Sequence, residues 1–325
     1  MRSRPAPATI DLAYRRVPTL VLGASGFIGA WTARALLARG ADVTAVGRDP
    51  ARLAAAMGSA ASQVRTLTAD LGRPGAVAEL MAAAAPAITF NLAGYGVDRS
   101  ERDPHLMDAL NARLVADLCE RLAAAPGGDW RGLSLVHAGS ALEYGRIEGP
   151  LDEAVEPRPV SDYGRTKLAG TRHVQQAGAT GVRAVVSRLF TVYGPGEHAG
   201  RLLPSLLDTA RTGAPLALTS GRQRRDFTYV ADAVEGLLRL GASGARPGEV
   251  VNVATGRLTP VREFAETAAR VIRFDPGLLA FGTRPDLDDE MWHGDVDVSR
   301  LRRLTSWSPA TSIADGIRQS WEAAG

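Results

Sequence analysis

Short apolar runs alternate with longer stretches in which apolar residues recur every three or four positions. The runs are Val17–Gly23 (VPTLVLG), Ala41–Gly47 (ADVTAVG), Val64–Leu71, Ala87–Gly94 (AITFNLAG), Leu133–Ser140 (LSLVHAGS) and Arg183–Phe190. Their length and their flanking glycines and polar residues predict buried strands. Helical spacing fills the gaps over Phe27–Arg39, with Gly40 as its stop, and over Pro74–Ala85, Pro104–Ala125 and Tyr163–Gly178. Strands alternating with helices predict an α/β fold, a doubly wound parallel sheet covered by helices on both faces. Ligands of such sheets bind beyond the carboxyl ends of the strands.

After Gly194 the pattern loosens. Glycine and proline become frequent, and the predicted helices shorten to Leu202–Arg211, Asp232–Leu240, Val261–Ile272 and Ile313–Ala323. Glu249–Gly256 (EVVNVATG) predicts a strand that returns to the main sheet. Residues 17–194 are thus expected to form a nucleotide-binding domain. Residues 195–325 should form most of a smaller, discontinuous substrate lobe. Residues 1–16 have no apolar core of a signal peptide and are expected to be a mostly flexible extension.

The chain has 325 residues, 45% of them hydrophobic and 22% charged, enough apolar material for a sizeable core. A net charge of +3 without a Lys/Arg run does not point to nucleic acid, and it suits an anionic small molecule. The single cysteine, Cys119, rules out a disulfide framework and a cysteine metal cluster; its helical setting predicts a buried structural thiol. No metal site is expected. With no apolar run of about 20 residues, no membrane-spanning segment is expected either, and the expected location is the cytoplasm.

Gly23-Ala-Ser25-Gly26-Phe27-Ile28-Gly29 follows a strand and opens a helix, the context in which a glycine-rich loop cradles a dinucleotide. Gly23 permits the tight turn, Gly26 lets the backbone approach a pyrophosphate, and Gly29 allows close helix–strand packing. An acid at the end of the second strand would bind the ribose hydroxyls of NAD. Here Val46-Gly47-Arg48 stands instead, and Asp49 reads as the N-cap of the next helix. Arg48 can bond a 2′-phosphate and stack on adenine. NADP(H) is therefore the expected cofactor, with NAD(H) as the alternative.

Tyr163 and Lys167 lie four residues apart in SDYGRTKLAG, so a helix places them on one face. A neighbouring ammonium favours the phenolate and lets Tyr163 pass a proton to or from a carbonyl or alcohol oxygen.

These residues resemble the extended short-chain dehydrogenase/reductase family, in its branch acting on nucleotide sugars. GASGFIG, TADL, NLAG (Asn91–Gly94), Asn111, GSALEYG (Gly139–Gly145), YGRTK, RLFTVYGPGE (Arg188–Glu197), RRDFTYVAD (Arg224–Asp232), NVATG, RPD and WSP carry the resemblance from Val17 onward. It implies a Rossmann-like domain with a smaller C-terminal sugar-nucleotide lobe. It implies that Tyr163 transfers the proton, that Lys167 lowers its pKa and binds the nicotinamide ribose, and that Ser140 bonds the reacting sugar oxygen. Asp70 and Leu71 should flank adenine. Leu92, Ala93 and Gly94, with Asn111 in the next helix, should lie along the cofactor, and Phe190 and Val192 should line the nicotinamide. Ala141, Leu142 and Thr191 are expected on the substrate side, with Arg201, Arg225 and Arg284 on its diphosphate. A homodimer through the helices at 104–125 and 163–178 is a further implication.

Relatives that remove water from the sugar carry Asp-Glu after the serine or threonine. Here Ala141 and Leu142 leave no acid for the departing hydroxyl, and strand-like geometry would point Glu143 away from Leu142. His137 reads as a satisfied core histidine, and His198 as either an exposed loop residue or a substrate contact. Gly47-Arg48, GSALEYG and the tail RPDLDDEMWHGDVDVSRLRRLTSWSP resemble reductases that finish deoxysugars. The expected activity is NADPH-dependent reduction of a nucleotide-linked 4-keto-6-deoxy sugar. An NAD-dependent 4-epimerase is the alternative. A non-catalytic NADP-binding regulator is the alternative of another class, disfavoured by Tyr163 and Lys167.

Overall fold

The computed structural model describes residues 10–98, 100–125, 129–147, 149–286 and 293–324. The LDDEMW part of the tail and the first nine residues of the expected extension lie outside them. Twelve strands follow in chain order among the described residues. They are β1 (Pro18–Leu22), β2 (Asp42–Gly47), β3 (Arg65–Thr68), β4 (Ile88–Asn91), β5 (Leu135–Ser140), β6 (Ala184–Leu189), β7 (Thr191–Tyr193), β8 (Leu216–Leu218), β9 (Arg224–Tyr229), β10 (Glu249–Val253), β11 (Leu258–Pro260) and β12 (Leu279–Phe281). Seven form one sheet in the order β10-β6-β5-β4-β1-β2-β3. The pairings of β1 with β2 and β4, of β2 with β3 and of β4 with β5 are parallel. The order reverses at β1, the switch point at which doubly wound sheets bind ligands. β10 is the strand that returns to the sheet from the second half of the chain, as its sequence predicts.

The chain divides into two compact units: Met1–Gly139, Thr166–Ser187 and Leu237–Val250 in the first, and Ser140–Arg165, Arg188–Gly236 and Val251–Gly325 in the second. The sequence puts the change of lobe near residue 194. In the structure the chain first changes unit at Ser140, where β5 ends, and it changes again at Thr166, Arg188, Leu237 and Val251.

The first unit is built on strands buried on both faces, which is why they read as continuous apolar runs. Leu20, Val21 and Leu22 of β1 and Ile88 and Phe90 of β4 are essentially inaccessible. The helix Phe27–Ala38 buries Gly29, Ala30, Ala33 and Leu36. Gly40, at φ +72°, follows its cap and ends it as expected. The expected extension does not reach residue 16. Ile10–Ala13 is a helical turn, and Tyr14 is fully buried with its hydroxyl donating to Leu238 O at 2.5 Å. The buried ring, with its hydroxyl satisfied, anchors this part of the chain to the core.

The second unit holds a three-stranded sheet, β11-β9-β7, and the parallel pair β12-β8. Its centre is aromatic. Phe227 stacks on Phe264 with centroids 4.2 Å apart, and Tyr193 meets Phe264 edge-on at 5.1 Å. Asp226, buried on β9, accepts from the backbone N–H groups of Thr255, Gly256 and Arg257 and from the hydroxyls of Thr228 and Thr255. That carboxylate closes the turn between β10 and β11. Among the described residues no helix is long and apolar enough to cross a membrane, and no cluster of His, Cys, Asp or Glu could hold a metal.

A Cβ added at Gly29 would stand 2.1 Å from Gly23 O, a backbone atom that cannot swing aside. Gly29→Ala should therefore destabilise the protein by about 3 kcal/mol or more, at the upper end of overpacking costs. Thermal unfolding of the purified variant checks this, and a melting temperature within a degree of wild type would refute it.

Candidate active site

In the first unit the glycine loop leaves β1 at Gly23, whose φ of +78° suits only glycine. A side chain there would strike the backbone of Leu92 and Ala93, just past β4, at 2.8–2.9 Å. The loops of the two strands at the switch point are thus in van der Waals contact, and Gly94 is exposed beside them. Gly26 is the N-cap of the following helix, and no side chain caps that helix start. The first-turn N–H groups, from Phe27 and Ile28 onward, are left to a ligand, and the helix dipole favours an anion there. A Cβ at Gly26 would meet only Gly23 O, at 3.2 Å, so the bare glycine leaves a cradle that a side chain would fill. The donor set and the cradle fit a dinucleotide pyrophosphate.

The end of β2 fits the same group. Ser25 Oγ packs 3.0 Å from where a Cβ of Gly47 would lie. Arg48 is exposed. Asp49 caps the helix Pro50–Met57, accepting from Ala51 N at 2.8 Å and Arg52 N at 3.1 Å, as its sequence setting predicts. Asp70, past β3, is exposed and turns the chain by accepting from Gly72 N, with Leu71 half-buried beside it.

Asn111 is fully buried. Its Oδ1 accepts from Tyr95 N at 3.0 Å, and its Nδ2 donates to Tyr95 O and Thr166 Oγ1 at 2.8 and 3.0 Å. Both amide hydrogens and the oxygen are engaged by protein, so Asn111 fixes the loop after β4 from beneath. It lies in a π-helical turn, Ala109–Arg113, that interrupts what the sequence predicts as one continuous helix. Such turns collect at functional sites.

Lys167 is 3% exposed, and a Cβ on Gly94 would lie 3.9 Å from its ammonium. It is the only lysine among the chain's 38 lysines and arginines. His137 is buried in the same unit, within hydrogen-bond distance of Asn91 Nδ2 at 3.2 Å through Nδ1. Burial, and then the Lys167 charge, hold it well below the usual histidine range, so it is neutral. Donation from Asn91 places the ring proton on Nε2, which has no partner among the described residues. The histidine is in the core as expected, but only half satisfied.

In the second unit Ser140 ends β5 and caps a 3-10 turn, Ala141–Glu143. Its Oγ accepts from Leu142 N at 3.2 Å, while Glu143 Oε1 accepts from Ser140 N at 2.7 Å. The expectation for Glu143 is corrected here. It is in a turn rather than a strand, it is fully buried, and it pairs with Arg188 at 3.0 Å. Ser-Ala-Leu-Glu is a capping-box signature, the signal that strand alternation conceals. Ala141 is buried and Leu142 is 39% exposed. A Cβ on Gly164 would strike Leu142 O at 2.5 Å and Pro159 Cβ at 3.0 Å, so the start of the helix Asp162–Ala179 packs directly on this turn. Half-buried Tyr163 lies in that first turn, and one continuous helix carries both Tyr163 and Lys167.

Phe190, half-buried between β6 and β7, packs on Val296 and Val298 and meets the edge of His293 at 6.3 Å. Thr191 is half-buried and Val192 buried on β7. His293, not singled out by its sequence, binds Gly294 O through Nδ1, and its buried Nε2 has no partner among the described residues. Arg225 is half-buried on β9, Arg284 is exposed just past β12 and His198 is exposed. Arg201 bonds Glu197 at 3.4 Å. Glu197 ends the RLFTVYGPGE run, but nothing in its spacing predicts a buried acid. Its side chain is 7% exposed, and its Oε2 has no partner among the described residues. Burial pushes its carboxyl up to about 7, against the opposing pull of Arg201.

That buried acid makes stability depend on pH. An unfolded glutamic acid titrates near 4.3, so the folded protein keeps this proton over a range in which the unfolded chain has lost it. The stabilisation is complete below about pH 4 and is lost as pH rises through 7, up to about 4 kcal/mol in all. Glu197→Gln should flatten the fall in melting temperature between pH 5 and 7.5. An unchanged slope would remove Glu197 as its source.

Comparison with known proteins agrees with this geometry. The NAD dependent epimerase/dehydratase family matches residues 19–254. The chain is 30% identical over 321 residues to a dTDP-6-deoxy-L-talose 4-dehydrogenase (NAD(P)(+)) of Kitasatospora kifunensis, covering 93% of this chain and 94% of the relative. It is 30% identical over 187 residues to an uncharacterized UDP-glucose epimerase, YtcB, of Bacillus subtilis, covering 57% of this chain and 58% of that one. Among solved structures, MoeE5 in complex with UDP-glucuronic acid and NAD superposes with a TM-score of 0.80 at 27% identity, over 94% of this chain and 98% of MoeE5. With a switch-point glycine loop, an uncapped helix start and a tyrosine–lysine helix in one chain, the protein belongs to the NAD dependent epimerase/dehydratase family, in the nucleotide-sugar branch of the extended short-chain dehydrogenases/reductases.

Proposed function

We propose that this protein reduces the 4-keto group of a nucleotide-linked 6-deoxy sugar, with NADPH as reductant. The observation that carries the reading is the helix Asp162–Ala179, with Tyr163 in its first turn and the chain's one lysine buried a turn later. The long match to an enzyme named for oxidoreduction at C4 of a 6-deoxy sugar supports both the position and the substrate class.

The nicotinamide, when bound, supplies the hydride to C4. Tyr163 gives its phenolic proton to the C4 oxygen, so ketone, hydride and proton together make the alcohol. Lys167 stabilises the phenolate left behind. Ser140 Oγ already accepts from Leu142 N, so its own proton is available to the C4 oxygen as negative charge develops there. Gly26 and the uncapped start of Phe27–Ala38 hold the pyrophosphate. Arg48 takes the 2′-phosphate, and Asp49 beside it is engaged through Oδ1 as a helix cap. Asp70 and Leu71 flank adenine, Leu92, Ala93 and Gly94 follow the ribose, and Phe190 and Val192 face the nicotinamide. Arg201, Arg225 and Arg284 serve the sugar nucleotide's diphosphate. Leu142 offers no proton to a leaving hydroxyl, which disfavours dehydration.

A second reading is redox-neutral 4-epimerisation with retained NAD. It is supported by the family's description, by the similarity to YtcB and by the NAD held in MoeE5. The two readings differ in net cofactor consumption.

The deciding assay follows NADPH absorbance with TDP-, GDP- and CDP-linked 4-keto-6-deoxy sugars. Stoichiometric oxidation is expected with one of them. Tyr163→Phe should lower kcat by about a thousandfold, within the usual range for a lost general acid. Arg48→Ala should raise the KM for NADPH by about tenfold, the loss of one charge-assisted bond, and change that for NADH little. Interconversion of two nucleotide sugars without net NADPH oxidation would establish the epimerase reading instead.

A further inference from the structure

Behind Ser140 lies a charged pair that the proposed reaction does not itself require. Glu143 and Arg188 have side chains 0% and 2% exposed, and Arg188 Nε bonds Glu143 Oε2 at 3.0 Å. The other oxygen, Oε1, holds Ser140 N at 2.7 Å. Arg188 also lies over the Tyr144 ring, 4.3 Å from its centroid, and its Nη1 has no hydrogen-bond partner among the described residues. Burial opposes its charge, but Glu143 and then Tyr144 outweigh burial and keep it ionised. Tyr144 is anchored in turn, its hydroxyl donating to Asn252 Oδ1 at 2.9 Å. Asn252 Nδ2 reaches the backbone oxygens of Leu151 and Asp297, and its N–H is held by Glu153 at 2.9 Å.

A capping box needs no buried charge. A neutral glutamine at position 143 would accept from Ser140 N equally well. Burying an ion pair costs desolvation that its attraction barely returns, and apolar residues of similar volume are often as stable. The pair is therefore poorly explained by stability. What it does achieve is geometric: it ties the last residue of the Ser140 turn to β6, on a guanidinium wedged against an anchored ring. Ser140 Oγ is thereby held accepting from Leu142 N, with its proton directed elsewhere.

We infer that Glu143 and Arg188 are positioning residues for Ser140, fixing its hydroxyl as a hydrogen-bond donor to the reacting oxygen of the substrate. This rests on the 4-ketoreductase reading above, in which Ser140 meets that oxygen.

Three variants and one combination test it: Glu143→Gln, the pair Glu143→Leu with Arg188→Met, Ser140→Ala, and Ser140→Ala added to the pair. Glu143→Gln keeps the bond to Ser140 but strands a buried guanidinium. It should melt lower than the apolar pair yet retain the higher kcat. The apolar pair leaves Ser140 N without its acceptor, so it should melt below wild type but above Glu143→Gln. It should lose kcat by between about tenfold and a hundredfold, as for a slightly misplaced group, with KM within about twofold. Adding Ser140→Ala to the pair should cost nothing beyond Ser140→Ala alone. The inference fails if stability and kcat rank the variants in the same order, if the losses multiply, or if the apolar pair does not fold. Ser140→Ala with undiminished kcat would instead overturn the role of Ser140 in the reaction, a different failure read from a different protein.

Discussion

The site depends on backbone passing against backbone at Gly23. A single added carbon at Gly23 would meet the chain after β4, and one at Gly29 would meet Gly23 itself. Because neither position carries a side chain, β1, the first turn of Phe27–Ala38 and the loop after β4 close to contact distance. That contact brings the uncapped helix start beside exposed Gly94. It also leaves room under Gly94 for the Asn111 amide and the Lys167 ammonium. A ribose–pyrophosphate chain can be gripped there by main-chain groups, which cost little entropy to order because the fold has already ordered them.

The distribution of positive charge follows a similar logic. Arginine supplies every cationic side chain but one. A guanidinium is planar and suits carboxylates, phosphates and aromatic faces, as at Arg188 over Tyr144 and Arg262 over Phe281. The exception is Lys167, where a compact ammonium is buried beside a neutral histidine. The buried acids divide in the same way. Asp226 is satisfied by backbone and hydroxyl donors and serves the fold. Glu143 is satisfied by a charge, and Glu197 is barely satisfied at all.

The two proposed readings, reduction and epimerisation, would both use Tyr163 for proton transfer and C4 for hydride transfer. Their difference lies in whether the cofactor leaves after one hydride transfer. Arg48, exposed at the end of β2 beside an aspartate already engaged as a cap, bears on that difference through the cofactor it would select. The absence of an acid at Ala141 and Leu142 bears on a different choice, between either of these reactions and loss of water.

Much of this was legible in the sequence because it is local. Apolar runs between glycines became the strands of the sheet within a few residues, and Val261–Ile272 matches its predicted bounds. The glycine motif, the Asp49 cap and the tyrosine–lysine spacing are each written within seven consecutive residues. Tertiary structure decided what depends on distant partners. Tyr14 is core because Leu238 offers it a carbonyl, and Asn111 is engaged because Tyr95 and Thr166 surround it. Glu143 is turned inward by Arg188, 45 residues on, where strand alternation would have sent it elsewhere. The passage of the chain between its two units was equally hidden, because strand runs such as Leu135–Ser140 and Ala184–Leu189 continue across it without a change in composition. Short-range periodicity and turn chemistry are written in consecutive residues. The solvation and pairing of a buried charge are fixed only when remote segments pack around it.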